Sequence, residues 1–306
     1  MKIDFRSIDV AKRLSQVAHA EIVSPADQLD RYWEYHARQE LGGITLPWGK
    51  THGLFQFKPG TLTMLGGYTG HFKSTISAQC MLSAMQQGKK VGLASLELEL
   101  PQILDQLIDI ASVNGANPTR EWKTRFIEWT RDRLYVYDRV DAIRPEDGTA
   151  FVYACKDLGC DLVVLDALMM MGLDVEDYGA ERDFSQVIQA IAKSESIAVL
   201  MVHHCKKPQG QGGELRQPTK YDLMGSSHLA NICNNVILVH HSKSKARAME
   251  AGDDYDDAEP CMRMLIDKNR GGPFEGYINL WRHPRSRAFC ATQARLTTPL
   301  MLEGPI

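Results

Sequence analysis

A glycine-rich stretch near residue 70 has the composition of a phosphate-binding loop. It reads Gly67-Tyr68-Thr69-Gly70-His71-Phe72-Lys73-Ser74-Thr75. The stretch follows a strand-like run and opens a helical pattern, so backbone N–H groups at the positive end of a helix would cradle phosphates. We expect Lys73 to reach the β- and γ-phosphates and Ser74 to hold Mg²⁺. Gly67, Gly70 and Thr75 would complete a site for ATP or another nucleoside triphosphate.

One position departs from the usual GxxxxGK[ST] spacing. Phe72 stands directly before the lysine, where glycine is usual. Glycine there lets the backbone bend without a side-chain clash. Two alternatives therefore stay open: a turn of coincidental composition, and a loop that Phe72 has spoiled.

Carboxylates follow two other strand-like runs. Asp166 ends the apolar run 162–165, where a carboxylate would hold the Mg²⁺ shell with Ser74. Glu97 follows the run 91–95 and is a candidate general base that positions water at the γ-phosphate. Glu99 points the same way by strand period, so it is the rival candidate.

A third polar cluster follows the run 199–202. It reads His203-His204-Cys205-Lys206-Lys207. No second ligand cluster has the spacing of a zinc site, so a polar residue here is better suited to sensing the γ-phosphate. Behind it lies a glycine-rich basic loop whose cations could follow a single-stranded DNA backbone. Those cations are Lys206, Lys207, Arg216 and Lys220. An ordinary solvated loop is the alternative.

A further cation follows a late strand-like run, in Asp267-Lys268-Asn269-Arg270-Gly271-Gly272. Arg270 is placed to project outward and to stabilise charge on a neighbouring subunit's nucleotide, as an arginine finger does. A hairpin turn with surface charges is the alternative.

The elements that must position these residues form an alternating pattern. Strand-like runs start at Leu62, Val91, Leu134, Leu162 and Val199, with helical patterns at 73–87, 101–112 and 184–194. Such alternation predicts an α/β fold with a mainly parallel central sheet. Further strands at 236–239, 262–266 and 277–280 have no helix between them, which predicts C-terminal hairpin strands. The polar segment 243–260, rich in aspartate, is expected to be a mobile, solvated loop.

The first 45 residues differ from the rest. Apolar residues recur at helical spacing over 24–41, with Ser24 as N-cap, Pro25 at the first position and Gly42-Gly43 at the end. We therefore predict an N-terminal helical arm over 1–45 and one domain over 46–306. The helix either packs on its own domain or docks on a neighbouring subunit.

Bulk properties exclude several classes of protein. The 306 residues carry a formal net charge of −3, so nucleic acid would have to be bound by a local basic patch. No apolar run is long enough to span a bilayer, and the N-terminus lacks the apolar region of a signal peptide. The seven cysteines are scattered, with no CxxC pair. We expect a cytoplasmic protein with reduced thiols and no membrane partner.

Taken in order over 57–291, these segments resemble the RecA-like, DnaB-like replicative ring helicases. The helicase half of bacteriophage helicase–primases and the related Twinkle helicase are the most similar. The matching segments are Val91–Glu97, Val202–Lys206, Tyr221–Ser227 and Lys268–Arg270.

The resemblance implies roles for particular residues. It selects Glu97 over Glu99 as the catalytic glutamate, His204 as the phosphate-sensing histidine and Lys206 as a DNA-contacting lysine. It also implies that Lys268 and Arg270 form a Lys-x-Arg finger. Met224 stands where the phage family usually has arginine, which is a departure.

The resemblance also implies an activity: a RecA-like P-loop NTPase core that hydrolyses ATP with Mg²⁺. The implied assembly is a hexameric ring that moves 5′ to 3′ on single-stranded DNA during replication. The setting would be a bacterial or phage-infected cytoplasm, and a separate primase and polymerase are candidate partners. The helix over 24–41 would be a linker that swaps onto the next subunit. Two rival functions are a recombinase-like ATP switch on DNA without unwinding and a non-catalytic nucleotide-binding scaffold.

Overall fold

The computed structural model describes most of the chain. The described residues are 7–17, 22–40, 42–112, 118–138, 144–167, 178–206, 216–225, 228–297 and 300.

Strands in the described residues form one large sheet and one small one. The strands are β1 (Ile44–Thr45), β2 (Gln56–Phe57), β3 (Leu62–Gly67), β4 (Val91–Ser95), β5 (Leu134–Val136), β6 (Leu162–Asp166), β7 (Ala198–His204), β8 (Asn235–His241), β9 (Met262–Asn269), β10 (Gly276–Arg282) and β11 (Phe289–Cys290). Nine of them form the order β11-β10-β9-β8-β3-β7-β6-β4-β5, and β1 pairs with β2. The run from β8 to β5 is parallel, whereas β9, β10 and β11 join antiparallel. The predicted α/β class, with a mainly parallel sheet and C-terminal hairpin strands, is confirmed.

Helices cover both faces of the sheet. They are α1 (Val10–Val17), α2 (Leu29–Glu40), α3 (Lys73–Gln86), α4 (Leu100–Ser112), α5 (Arg120–Trp129), α6 (Pro145–Asp157), α7 (Tyr178–Glu195), α8 (His228–Ile232) and α9 (Lys243–Ala251). Successive strand residues face opposite layers: Leu65 and Val164 lie in the layer with α3 and α4, whereas Met64 and Val163 lie in the layer with α6 and α7. Burial on both faces explains why these strands read as continuous apolar runs. Among the described residues, no helix is both long and apolar enough to cross a membrane.

The segment 243–260 is not the solvated loop that its polarity predicts. Its first half is the helix α9, which Ser242 caps by accepting a hydrogen bond from the Lys245 amide. Lys245 is buried, and its ammonium donates to the backbone carbonyls of Asp256, Asp257 and Glu259. The acidic stretch is therefore held in place by its main chain. The prediction that no helix separates the late strands was also wrong.

The N-terminal residues divide into two parts. The helix α1 packs on its own core, where Arg13 forms an ion pair with Asp157 at 2.8 Å and lies over the Tyr153 ring. The helix predicted over 24–41 is present as a 3-10 turn (Pro25–Gln28) that leads into α2, although the Ser24 side chain makes no cap bond. The apolar face of α2 remains open to solvent. Leu29 is 56% exposed, Tyr32 54% and Trp33 61%.

Candidate functional site

The parallel strands bring four predicted residues to one edge of the sheet. Gly67 at the end of β3 lies beside His204 at the end of β7. Ser95 at the end of β4 lies beside Asp166 at the end of β6, and Glu97 follows two residues later. In open α/β sheets this carboxyl edge is where ligands bind.

The glycine-rich stretch has the backbone of a phosphate loop. Gly70 has a φ of 78°. A Cβ added at Gly67 would lie 2.8 Å from the Val239 carbonyl oxygen and 3.3 Å from Lys73 Cγ. Phe72 adopts the left-handed conformation, with φ 60° and ψ 30°, and α3 begins at the next residue. The chain therefore makes the bend for which glycine is usual despite the side chain, and the first amides of α3 stay available to a ligand.

Packing on its outer side holds Phe72 in this conformation. The ring contacts His241, with centroids 4.7 Å apart, and Phe289, at 5.6 Å. The Arg282 guanidinium lies 5.3 Å from the ring centroid. These contacts direct the ring away from the space enclosed by the loop.

Lys73 points back along its own loop. Its ammonium lies 3.2 Å from the Tyr68 carbonyl oxygen and 3.3 Å from His204 Nδ1. Burial lowers the pKa of Lys73, and the charges of Asp166 and Glu97 act in the opposite direction. A buried ammonium held within a phosphate loop is the arrangement expected of a group that binds an anion.

Asp166 and Ser74 form the oxygen pair expected for a magnesium ion. Burial raises the pKa of Asp166 to about 6, while a hydrogen bond from Ser74 and the charge of Lys73 lower it. Carboxylate and hydroxyl oxygens suit Mg²⁺, which takes few protein ligands and completes its shell with water and phosphate. The residues present therefore fit the ion that the loop implies.

The structure separates the two rival glutamates. The charge of Glu97 acts on Lys73, Asp166 and His204. Glu99 precedes α4, where its amide and carbonyl groups bond to Gln102 and Ile103. The position of Glu97 thus favours it for contact with a bound phosphate.

The two adjacent histidines point in opposite directions. His204 faces Thr69 and Lys73, and burial together with the charge of Lys73 lowers its pKa. His203 is fully buried on the other face, where Nε2 lies 3.1 Å from both Glu181 Oε1 and the Met224 carbonyl oxygen. His204 is therefore the histidine at the candidate nucleotide site.

Glu181 is a residue that no sequence motif singles out. It lies on α7 and reaches His203 beneath the segment that contains Met224 and Gly225. Burial raises the pKa of Glu181 to about 7 and lowers that of His203 to about 4. Their proximity depends on how α7 packs under β7, which no local pattern encodes.

The predicted basic track is only partly free. Lys206 is exposed, and no hydrogen bond or ion pair joins its side chain to another described residue. Arg216 is paired with Asp222, and Lys220 bonds through both its amide and its ammonium to Asp267. Lys207 and the glycine-rich segment 209–213 lie outside the described residues.

Lys268 and Arg270 do not join the other candidates. Asn269 pairs with Asn235 at the start of β8, which places the end of β9 at the edge of the sheet opposite the phosphate loop. Arg270 is exposed there. The Lys268 ammonium instead donates to three carbonyl oxygens of its own chain, those of Ala230, Asn231 and Cys233.

A comparison with protein families adds to this geometry. The family model described as "AAA domain" matches residues 56–210, which include the phosphate loop, Glu97, Asp166 and His204. The chain belongs to this family.

Solved structures show which fold this AAA domain has. A DnaB-like replicative helicase, described with its interactions with primase, superposes with a TM-score of 0.68 at 14% identity, covering 94% of this chain and 72% of the other. A second solved structure, described as an isolated ATPase domain, superposes with a TM-score of 0.69 at 16% identity, covering 88% of this chain and 99% of the other. The fold of this AAA domain is therefore the RecA-like fold of DnaB-like helicase ATPase domains, as the sequence resemblance implies.

Proposed function

We propose that this chain is the ATP-hydrolysing motor of a DnaB-like replicative helicase, which assembles as a ring and moves 5′ to 3′ on single-stranded DNA. The observation that carries the proposal is the division of the candidate residues between two edges of one sheet. The phosphate loop, Asp166 and Glu97 lie at one edge, and Arg270 lies at the other. A subunit arranged in this way completes its site only against a neighbour.

The roles follow from the geometry of the carboxyl edge. Lys73 and the first amides of α3 would bind the β- and γ-phosphates, with Gly67, Gly70 and Thr75 forming the wall. Ser74 and Asp166 would hold Mg²⁺, which together with ATP supplies the electrophilic phosphoryl group. Glu97 would orient a water molecule and take its proton.

His204 and Arg270 would act on the same phosphate from two chains. His204 lies between the Lys73 ammonium and the Thr69 hydroxyl, so it is suited to detect whether a γ-phosphate is present. Arg270 of a neighbouring subunit would stabilise the charge that develops during transfer.

The DNA track of the proposal begins directly after the histidine. Lys206 follows β7, and its amide is bonded to the Asp222 carbonyl oxygen in the segment that continues to Gly225. A change at His204 would thus be felt by the cations of 206–220, which we propose contact the DNA backbone. Single-stranded DNA contacts of this kind depend on charge and tolerate any sequence.

The first experiment measures ATP hydrolysis with and without single-stranded DNA on particles whose size is determined in solution. We expect ring-sized particles and a rate that rises when DNA is added. A strand-displacement assay on a forked duplex then separates a helicase from a DNA-dependent ATP switch, which would hydrolyse ATP without displacing the strand. Hydrolysis that ignores DNA would contradict the proposal.

A further inference from the structure

All three hydrogens of the Lys268 ammonium have acceptors within the same chain. Nζ lies 2.6 Å from the Ala230 carbonyl oxygen, 3.1 Å from that of Asn231 and 2.7 Å from that of Cys233. An ammonium group has three hydrogens to donate and no acceptor. A phosphate could be contacted only after these bonds were broken.

These carbonyls belong to the end of α8. The last carbonyls of a helix have no partner within the helix, and a cation at that end also interacts favourably with the helix dipole. The helix α8 has five residues, a length that is not stable in isolation. Lys268 therefore supplies the contacts that hold the end of α8 against β9.

The same turn supports Arg270. The Arg270 amide bonds to the Asn234 carbonyl oxygen at 3.1 Å, and its guanidinium lies 3.5 Å from the carbonyl oxygen of Asn231. The Asn231 carbonyl thus faces both cations. Asn234 is fixed in turn to β3, because its amide bonds to the Leu62 carbonyl oxygen. The position of Arg270 depends on the turn that Lys268 holds.

A second bond ties the same strand to the DNA-side segment. Asp267, next to Lys268, bonds to the amide and the ammonium of Lys220. The segment that contains Lys220 is bonded to β7 at Cys205 and leads on to α8. The end of β9 is therefore held by both ends of the segment that connects the candidate DNA track to the candidate finger.

We propose that Lys268 is a positioning residue that acts through Arg270, by holding α8 against β9, and that it does not contact the phosphate of a neighbour's nucleotide. The inference rests on the proposed function, since it takes Arg270 to be the group that reaches the neighbouring site. It departs from the Lys-x-Arg resemblance, which would place both cations on the phosphate.

A double-mutant cycle tests the proposal. Single-turnover ATP hydrolysis is measured in full-length rings of the wild type, Lys268→Met, Arg270→Ala and the double variant. We expect Lys268→Met to slow hydrolysis about tenfold when Arg270 is present and to leave the slow Arg270→Ala rate unchanged. Two effects that multiply in the double variant would overturn the proposal, because a lysine on the phosphate acts without Arg270. Lys268→Gln is carried through the same cycle, so that the outcome does not depend on how one variant folds.

Hydrogen exchange without nucleotide gives a second readout. With no phosphate present, Lys268→Met should speed amide exchange at 229–234, whereas Arg270→Ala should have a smaller effect there. Unchanged exchange in Lys268→Met would also overturn the proposal. If Arg270→Ala alone hydrolysed ATP at the wild-type rate, the shared site of the proposed function would fail instead, and the exchange result would still report on Lys268.

Discussion

Lys73 and Arg270 lie at opposite edges of the same sheet, at the two ends of β3. Lys73 follows the loop that leaves β3 at Gly67, while the Arg270 amide is bonded to Asn234, whose own amide bonds to Leu62 at the start of the strand. At about 3.3 Å per residue, the two ends of β3 are on the order of 15 Å apart. An arginine at that distance cannot serve the nucleotide of its own chain, which is why the proposed site requires a neighbour.

Substitutions at Phe72 separate backbone strain from packing. Phe72→Ala and Phe72→Gly both lose the contacts with His241 and Phe289, but only glycine relieves the left-handed conformation. We expect Phe72→Gly to unfold with a free energy about 1 kcal/mol higher than Phe72→Ala, as measured in urea. Equal stabilities would contradict the left-handed backbone.

Nucleotide binding in the same variants tests the phosphate loop. Because the Phe72 ring points away from the cradle, Phe72→Gly should bind and hydrolyse ATP as the wild type does or faster. Lys73→Ala should abolish binding of a fluorescent nucleotide, since the phosphates lose their main cation. If a folded Phe72→Gly variant were inactive, the aromatic side chain would have a role in hydrolysis rather than being tolerated.

Lys206 should contribute more to DNA binding than its paired neighbours. Its side chain is exposed, whereas Lys220 is bonded to Asp267. Lys206→Ala together with Lys207→Ala should weaken binding to single-stranded DNA of any sequence and flatten the salt dependence by roughly 0.7 log units per lost phosphate contact. Lys220→Ala is the matched control and should change the slope less. An unchanged slope in the double variant would mean that these lysines are only solvated.

The open apolar face of α2 should be required for ring assembly. Leu29, Tyr32 and Trp33 are each more than half exposed, so they are available to a neighbouring subunit. Trp33→Glu, or deletion of 1–41, should convert rings to smaller species in light scattering while the core stays folded. Asp30→Ala on the same helix is the control. A truncated protein that still elutes as a full ring would place this helix on its own subunit.

The Glu181–His203 pair should make stability depend on pH in a predictable direction. The folded pKa of Glu181, about 7, lies above its ordinary value of 4.5, so the folded state keeps the proton longer than the unfolded state. This group therefore contributes stability below about pH 4.5 that is lost as the pH rises through 7. The lowered pKa of His203 acts in the opposite sense, between about 4 and 6.5.

Comparison with Glu181→Gln isolates the carboxyl group, because His203 is present in both proteins. The variant should become more stable relative to the wild type as the pH rises from 5 to 8, in urea unfolding at each pH. A constant difference across that range would show that burial does not hold the proton on Glu181.

Features with a local cause could be predicted from the sequence. Leu162–Leu165 is apolar throughout because both faces of β6 are covered, and the phosphate loop shows its spacing even with Phe72 in it. The helix α9 was missed because its polarity suggested a loop, although Ser242 and Gly252 are a cap and a stop at its two ends. The contacts of Lys268 and Glu181 could not be predicted, because each joins elements that only the tertiary fold brings together.

A mixing experiment tests most directly whether the active site is shared between subunits. Arg270→Ala and Glu97→Gln rings should each bind ATP and fail to turn it over, the arginine variant by about a thousandfold or more. When the two are mixed and reassembled, a site with its own Glu97 can face a neighbour that still supplies Arg270. We predict that ATP hydrolysis partly returns in the mixed rings. If subunit exchange is demonstrated and no mixture recovers activity, each site is built from one chain and the ring-helicase proposal is contradicted.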